Sequence, residues 1–206
     1  MRTVGRLHLI TDTRPGRDAV AVAAAALQAG FDTVQVRPED AVTDREAYEL
    51  TVRILELCRR HGAACLVNDR LHVAVAAGAD GGHVGADDLP VAAARRVLGP
   101  DAILGATARN AVQARRAVAD GATYLGVGPA FATTTKTGLP DAIGPAGVQA
   151  VVEAVDVPVV AIGGVTAARA AELFAVGVHA VAVVGAVSTA VDPGAAAAAF
   201  FTVVPR

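Results

Sequence analysis

One pattern recurs eight times along this 206-residue chain: a short apolar run, a loop marked by Gly, Asp or Pro, and an alanine-rich stretch of helical length. The runs occupy residues 7–11, 33–37, 64–67, 81–84, 103–105, 124–127, 157–162 and 180–184. Helix-like segments between them include 18–29, 44–61, 91–98, 111–120 and 166–176. Strands that alternate with helices of this length imply βαβ units on a parallel sheet. Eight units in 206 residues predict an α/β fold, a (β/α)8 TIM barrel forming one domain over residues 1–206. A doubly wound open sheet is the rival, because counting repeats cannot prove closure. No linker or low-complexity stretch divides the chain.

The core this pattern needs is available from aliphatic residues alone. Hydrophobic residues make up 53% of the chain and aromatics only 3%, with no Trp. Val, Ala, Ile and Leu suit parallel strands covered by helices on both faces. Net charge is -2, and no basic block or aromatic-basic interleaving occurs, so a nucleic-acid partner is not expected. No start with a basic, apolar and small-residue order is present, and no apolar run reaches spanning length without polar interruption. The expectation is a cytoplasmic protein with no membrane partner. Cys58 and Cys65 lack metal-type spacing and read as reduced, partly buried thiols.

Barrel chemistry sits at the carboxyl ends of the strands, and the unusual polar residues fall there. Gln35 and Arg37 end the second run, Asn68-Asp69 follow the third, and Asp87-Asp88 follow the fourth. Thr107 ends the fifth and Thr133-Thr-Thr-Lys136 follows the sixth. Lys136 is the only lysine, every other basic side chain being arginine. A compact ammonium on a flexible stem can follow a moving phosphate, where arginine imposes a planar fork. Gly163-Gly164 follow the seventh run and Gly185 the eighth. Glycine lets a phosphate approach backbone N–H groups at a helix start, and the loops after strands seven and eight form the usual barrel phosphate cup.

Asp69 and Asp88 stand after adjacent strands. Two carboxylates without His or Cys neighbours suit Mg²⁺, which keeps waters and takes substrate phosphate oxygens. Helix capping by each aspartate is an equally open reading. Asp87 is the better cap candidate of the neighbouring pair, and His83, inside an apolar run, reads as a structural strand residue.

Together these residues resemble the thiamine phosphate synthase family. The resemblance runs through Leu9-Ile-Thr-Asp12, Val34-Gln-Val-Arg37, Val67-Asn-Asp-Arg70, Ala79-Asp-Gly-Gly-His-Val-Gly85, Val160-Ala-Ile-Gly-Gly164 and Val181-Ala-Val-Val184. Its most specific element is Gly126-Val-Gly-Pro-Ala-Phe-Ala-Thr-Thr-Thr-Lys136. It implies a (β/α)8 barrel that joins 4-amino-5-hydroxymethyl-2-methylpyrimidine diphosphate to hydroxyethylthiazole phosphate and releases pyrophosphate. By the same resemblance Asp69 and Asp88 bind Mg²⁺. Gln35, Arg37, Asn68 and Lys136 hold the diphosphate, and Thr107 stands where the family usually has serine. Thr133 and Thr135 contact the thiazole phosphate or diphosphate, and Gly164 with the Val184-Gly185 backbone forms the thiazole-phosphate cup. Arg37, Lys136 and Thr107 are the implied catalytic set. Implied too is a dissociative path through a pyrimidine-methyl cation, needing no covalent nucleophile. The partners are then small molecules, and a homo-oligomer is compatible with the sequence.

Three positions depart from the family pattern. Glu39 replaces a lysine after Gln-x-Arg, Gly85-Ala86-Asp87-Asp88 loses an amide, and Thr107 keeps only the serine hydroxyl. Because Pro38 redirects the strand, Glu39 is expected to turn outward and be largely solvated. Two alternatives remain at this level: a thiazole tautomerase of a related barrel, for which Gly128-Pro129 lacks the expected histidine, and a phosphate-binding barrel without catalysis, which Glu39 favours.

Overall fold

The computed structural model describes residues 3–133, 138 and 140–205. Among these, strands and helices alternate: β1 Leu7–Ile10, α1 Ala19–Gln28, β2 Thr33–Val36, α2 Asp44–His61, β3 Ala64–Asn68, α3 Leu71–Ala77, β4 Gly81–Val84 and α4 Val91–Leu98. The second half continues β5 Ile103–Ala108, α5 Ala111–Ala119, β6 Tyr124–Val127, α6 Gly144–Val152, β7 Val159–Ile162, α7 Ala167–Ala175, β8 Ala180–Val183, α8 Gly185–Ser188 and α9 Pro193–Phe201. Each strand pairs in parallel with the next, and β8 pairs back onto β1 through Leu7 with Val181 and Leu9 with Val183. The barrel is therefore closed, and the open doubly wound sheet is excluded.

Local chemistry sets the helix starts. Asp18 accepts the N–H groups of Val20 and Ala21 at α1. Thr43 and Glu46 form a reciprocal capping box at α2, which ends on left-handed Gly62. Asn110, Thr166 and Asp192 cap α5, α7 and α9. Each such cap stabilises its helix by about 1 kcal/mol. Asp87 does not join this set: α4 starts from Pro90, three residues later, with no side-chain cap.

Strand alternation divides the core in two. Leu9, Val34, Val36, Leu104, Leu125, Val127 and Val181 face outward under the helices, and all are buried. Ile10, Leu66, Ile103, Tyr124, Val160, Ala180 and Ala182 fill the barrel interior. Two glycines shape that interior. A Cβ on Gly105 would lie 2.1 Å from the Tyr124 ring, and one on Gly126 would lie 2.9 Å from His83. Their absence leaves room for a tyrosine and a histidine inside the barrel, under the carboxyl-terminal mouth. Among the described residues, no helix is long and apolar enough to cross a membrane.

Candidate active site

The mouth is built where the interior faces of the strands run out. Gln35 is buried near the end of β2, and Asn68 closes β3. Thr107 stands one residue before the end of β5, paired in register with Gly126. Gln35, Asn68 and Thr107 thus belong to one ring, as expected from sequence. Thr133 is described and half-buried. Thr135 and Lys136 lie outside the described residues.

The loop after β1 clamps the loop after β2. Thr11 Oγ1 accepts the Arg37 N–H at 2.9 Å, and Thr13 Oγ1 accepts the Glu39 N–H at 2.9 Å. Arg70 donates to the Glu39 carbonyl and pairs with Asp44. With the Glu39 backbone held on both sides, its carboxylate returns to the Arg37 guanidinium at 3.4 Å. The outward-turned, solvated Glu39 expected from Pro38 is thus not what forms. Pro38 itself is buried, and the carboxylate is half-buried against Arg37.

A second charged group at the mouth carried no expectation. Asp12, two residues past β1, is 3% exposed. It takes a fork of two bonds from Arg14, at 2.8 and 2.7 Å, and one from the Ser188 hydroxyl at 3.1 Å. Arg14 bonding holds the Asp12 carboxyl down at about 2, and the same pair raises the Arg14 guanidinium. Arg17 lies 3.7 Å from the same carboxylate. Asp12 was visible as one more polar residue after a strand, but its link to Ser188 spans almost the whole chain.

Asp69 follows β3 directly, and its φ of 58° is the one positive value at a non-glycine among the described residues. Left-handed backbone at a non-glycine residue is uncommon and tends to cluster at functional sites. Its N–H donates to the His83 carbonyl at 2.9 Å, which ties the turn to β4. Asp88 Oδ2 accepts the Gly85 N–H at 2.8 Å. Neither α3 nor α4 receives a side-chain cap from its N-cap residue, Arg70 or Pro90. Both aspartates are exposed, Asp69 directly after β3 and Asp88 in the loop after the adjacent β4. Among the described residues no three acidic, His or Cys side chains gather as a metal cage. A two-carboxylate set fits Mg²⁺ that arrives with phosphate, since this ion commonly takes one or two carboxylates and completes its shell from substrate and water.

The glycine loops are moulded to each other. Gly163 and Gly164 have φ of 97° and 63°. A Cβ on Gly164 would lie 2.5 Å from the Ala132 carbonyl, and one on Gly163 would lie 2.5 Å from Pro129. Phe131 N–H donates to the Gly163 carbonyl at 3.0 Å, and Arg169 both caps the Gly164 carbonyl and covers the Phe131 ring. The β6 loop thus rests on the β7 loop through backbone contact. Gly185 opens the short α8 after Val184.

Below the mouth lies a polar chain. Gln35 Nε2 donates to the Tyr124 hydroxyl at 3.3 Å. That hydroxyl lies 3.0 Å from His83 Nδ1, and His83 Nε2 lies 3.0 Å from Thr107 Oγ1. Burial lowers His83 to about 4 and raises the Tyr124 phenol well above its ordinary value. His83 is a strand residue, as expected, but it links two groups of the site rather than filling apolar space.

The family model described as thiamine monophosphate synthase matches residues 7–187. This chain belongs to the thiamine monophosphate synthase family. A thiamine-phosphate synthase of Salinispora arenicola is 62% identical over 97% of both chains. One of Chloroflexus aurantiacus is 47% identical over 93% of this chain and 89% of that protein. The solved structure of a thiamine phosphate pyrophosphorylase from Pyrococcus furiosus superposes with a TM-score of 0.88 at 35% identity, covering 96% of this chain and 94% of that one. Like other members of the thiamine monophosphate synthase family, the chain is a transferase that condenses a pyrimidine and a thiazole moiety.

Proposed function

We propose that this chain, read as one barrel domain over residues 1–206, joins 4-amino-5-hydroxymethyl-2-methylpyrimidine diphosphate to hydroxyethylthiazole phosphate at the mouth just described. The observation that carries the assignment to this mouth is its one-sided polar ring: Gln35, Arg37, Asn68-Asp69 and Thr107, facing the loops of Gly163-Gly164 and Gly185. The reaction breaks the C–O bond to the diphosphate, and both electrons leave with oxygen. The cation left on the pyrimidine methylene is stabilised by its ring amino group and captured by the thiazole nitrogen lone pair. Such a path asks the protein for alignment and for neutralisation of the leaving group, each able to contribute several kcal/mol, rather than for a nucleophile.

In this reading Gln35, Arg37, Asn68 and Lys136 hold the diphosphate. Thr107 presents its hydroxyl to the leaving group. Thr133 and Thr135 would contact the thiazole phosphate or the diphosphate. The Gly163-Gly164 and Val184-Gly185 backbone receives the thiazole phosphate. Asp69 and Asp88 would hold Mg²⁺, which supplies charge neutralisation at the diphosphate when bound. Small-molecule substrates and a cytoplasmic location complete the reading, and a homo-oligomer is compatible with it.

The test is product formation by the purified protein from the two phosphorylated substrates with Mg²⁺. Thiamine phosphate and pyrophosphate should appear in equal amounts, and a chelator should stop both. Isomerisation of a thiazole carboxylate phosphate without condensation would overturn the assignment, as would phosphate binding without turnover.

A further inference from the structure

The chain Gln35–Tyr124–His83–Thr107 has a direction, and the direction is set by which atoms can donate. The Gln35 amide nitrogen has only protons to offer, so the Tyr124 oxygen accepts from it. Tyr124 is 1% exposed, and its hydroxyl meets two side chains, Gln35 and His83. If the phenol accepted from both, its own proton would be buried without a partner, at a cost of about 1–3 kcal/mol. The phenol therefore donates to His83 Nδ1. Neutral imidazole carries one proton, so that proton is on Nε2, which lies 3.0 Å from Thr107 Oγ1. Thr107 accepts it, and the hydroxyl proton of Thr107 is left to point elsewhere. A phenol that donates to Nδ1 requires that nitrogen to be unprotonated, so the same geometry makes the ring neutral.

We propose that His83 is a positioning residue that, locked in its Nε2–H tautomer by Tyr124, fixes the Thr107 hydroxyl as a hydrogen-bond donor toward the departing diphosphate. This deepens the proposed function and rests on it for the identity of the acceptor. The local sequence supports the role. Gly105 and Gly126 flank the two rings, and a Cβ at either position would collide with them. Both ring nitrogens are thereby satisfied, Nδ1 by the Tyr124 hydroxyl and Nε2 by the Thr107 hydroxyl, which leaves the ring one tautomer. The threonine also has a specific demand: a hydroxyl can donate or accept, and a leaving group that gains negative charge is helped only by a donor.

The experiment has one arm that needs no activity. Nitrogen-15 correlation spectra of the histidine-labelled protein, with the His83 signals assigned by difference from His83→Gln, should show a neutral Nε2–H ring unchanged between pH 6 and 9. In Tyr124→Phe the same ring should become a mixture of tautomers. In the kinetic arm, His83→Leu should lower kcat about 10- to 100-fold, with KM for both substrates within about twofold. Thr107→Val should lower kcat similarly, and the double variant should be no slower than Thr107→Val alone. His83→Gln, whose amide can reach the Nε2 position, should recover part of the rate. An Nδ1–H ring in the native protein overturns the proposal, whatever the variants do. Additive losses in the double variant also overturn it, as does a His83→Leu effect confined to thermal stability. A protein with the expected tautomer that does not condense the two substrates would instead remove the proposed function, and with it the acceptor named here.

Discussion

The Glu39 carboxylate folds back onto Arg37, 3.4 Å from its guanidinium. The arginine proposed to hold the diphosphate is thus partly neutralised by its neighbour in the free protein. Both side chains are about a third exposed, at 26% and 36%. A pair this wet is worth no more than about 1 kcal/mol. Substrate must break or bypass it on binding.

Glu39→Gln should therefore tighten binding of the pyrimidine diphosphate by up to about fivefold, the factor equivalent to about 1 kcal/mol. Glu39→Lys should tighten it further and raise turnover. Titration calorimetry and steady-state kinetics check both. Weaker binding of substrate together with weaker Mg²⁺ dependence would instead make Glu39 a metal ligand.

Asp12 should carry a measurable share of acid stability. Its carboxyl is held at about 2 against an ordinary 3.8, chiefly by the Arg14 fork. A lowered carboxyl contributes stability that is complete above 3.8 and is lost as pH falls through about 2. A shift of this size corresponds to about 2 kcal/mol for a buried group. Asp12→Asn should lower Tm at pH 7 by roughly 4–8 °C for a chain of this size, and should flatten the acid limb between about pH 4 and 2. Because the amide keeps one acceptor oxygen for the three donors of Arg14 and Ser188, the Ser188 contact near Gly185 should loosen and KM for the thiazole phosphate should also rise. An unchanged Tm would mean that Arg14 and Ser188 are equally well satisfied by an amide.

Much of the barrel was legible in the sequence, because aliphatic runs between Gly, Pro and Asp mark strands to within about three residues. The eight strands fall where their runs do, and α2 and α4 match their expected bounds. Weaker signals belong to α3, seven residues without a side-chain cap, and to α6, which begins Gly144-Pro-Ala-Gly. Closure was not legible, since it lies in pairing between residues such as Leu7 and Val181. The site divides the same way. Polar residues after strands announce themselves in sequence, but their partners do not. The Thr107–His83 and Asp12–Ser188 contacts join residues 24 and 176 positions apart. Local rules also misled where tertiary contacts won: Thr13 and Arg70 hold the backbone that Pro38 was expected to turn away.

Gly164→Ala should damage the site more than the fold. At φ of 63° a Cβ is strained, and it would press the Ala132 carbonyl, which is backbone and cannot rotate away. The relief is a shift of the β6 loop, the one that leads to Lys136. We expect kcat/KM for thiazole phosphate to fall at least tenfold, while Tm drops only a few degrees, as about 1–2 kcal/mol of local strain implies. Kinetics with the thiazole phosphate as varied substrate, beside a melting curve, separates the two. Equal kcat/KM in the variant would remove this contact from the site.

A second acid transition should precede that of Asp12. Burial lowers His8 to about 3 and His83 to about 4, both from 6.5. The unfolded chain therefore binds more protons than the folded one below 6.5. Stability is complete above that value and declines as pH falls toward 4 for His83 and 3 for His8, with a slope of at most about 1.4 kcal/mol per pH unit for each ring. Tm should already fall between pH 7 and 5, where no carboxylate effect of Asp12 operates. Neither His8 ring nitrogen has a protein hydrogen-bond partner among the described residues, and the side chain is 1% exposed. His8→Leu removes two buried polar atoms at nearly constant volume, so stability at pH 7 should hold or rise. The same variant should make the decline from pH 6.5 to 4 shallower, leaving the part due to His83. Denaturant unfolding at pH 7, 6, 5 and 4 measures both effects. A decline as steep as in the parent would mean that His8 does not titrate on unfolding, and a large loss at pH 7 would mean that its ring is bonded in solution.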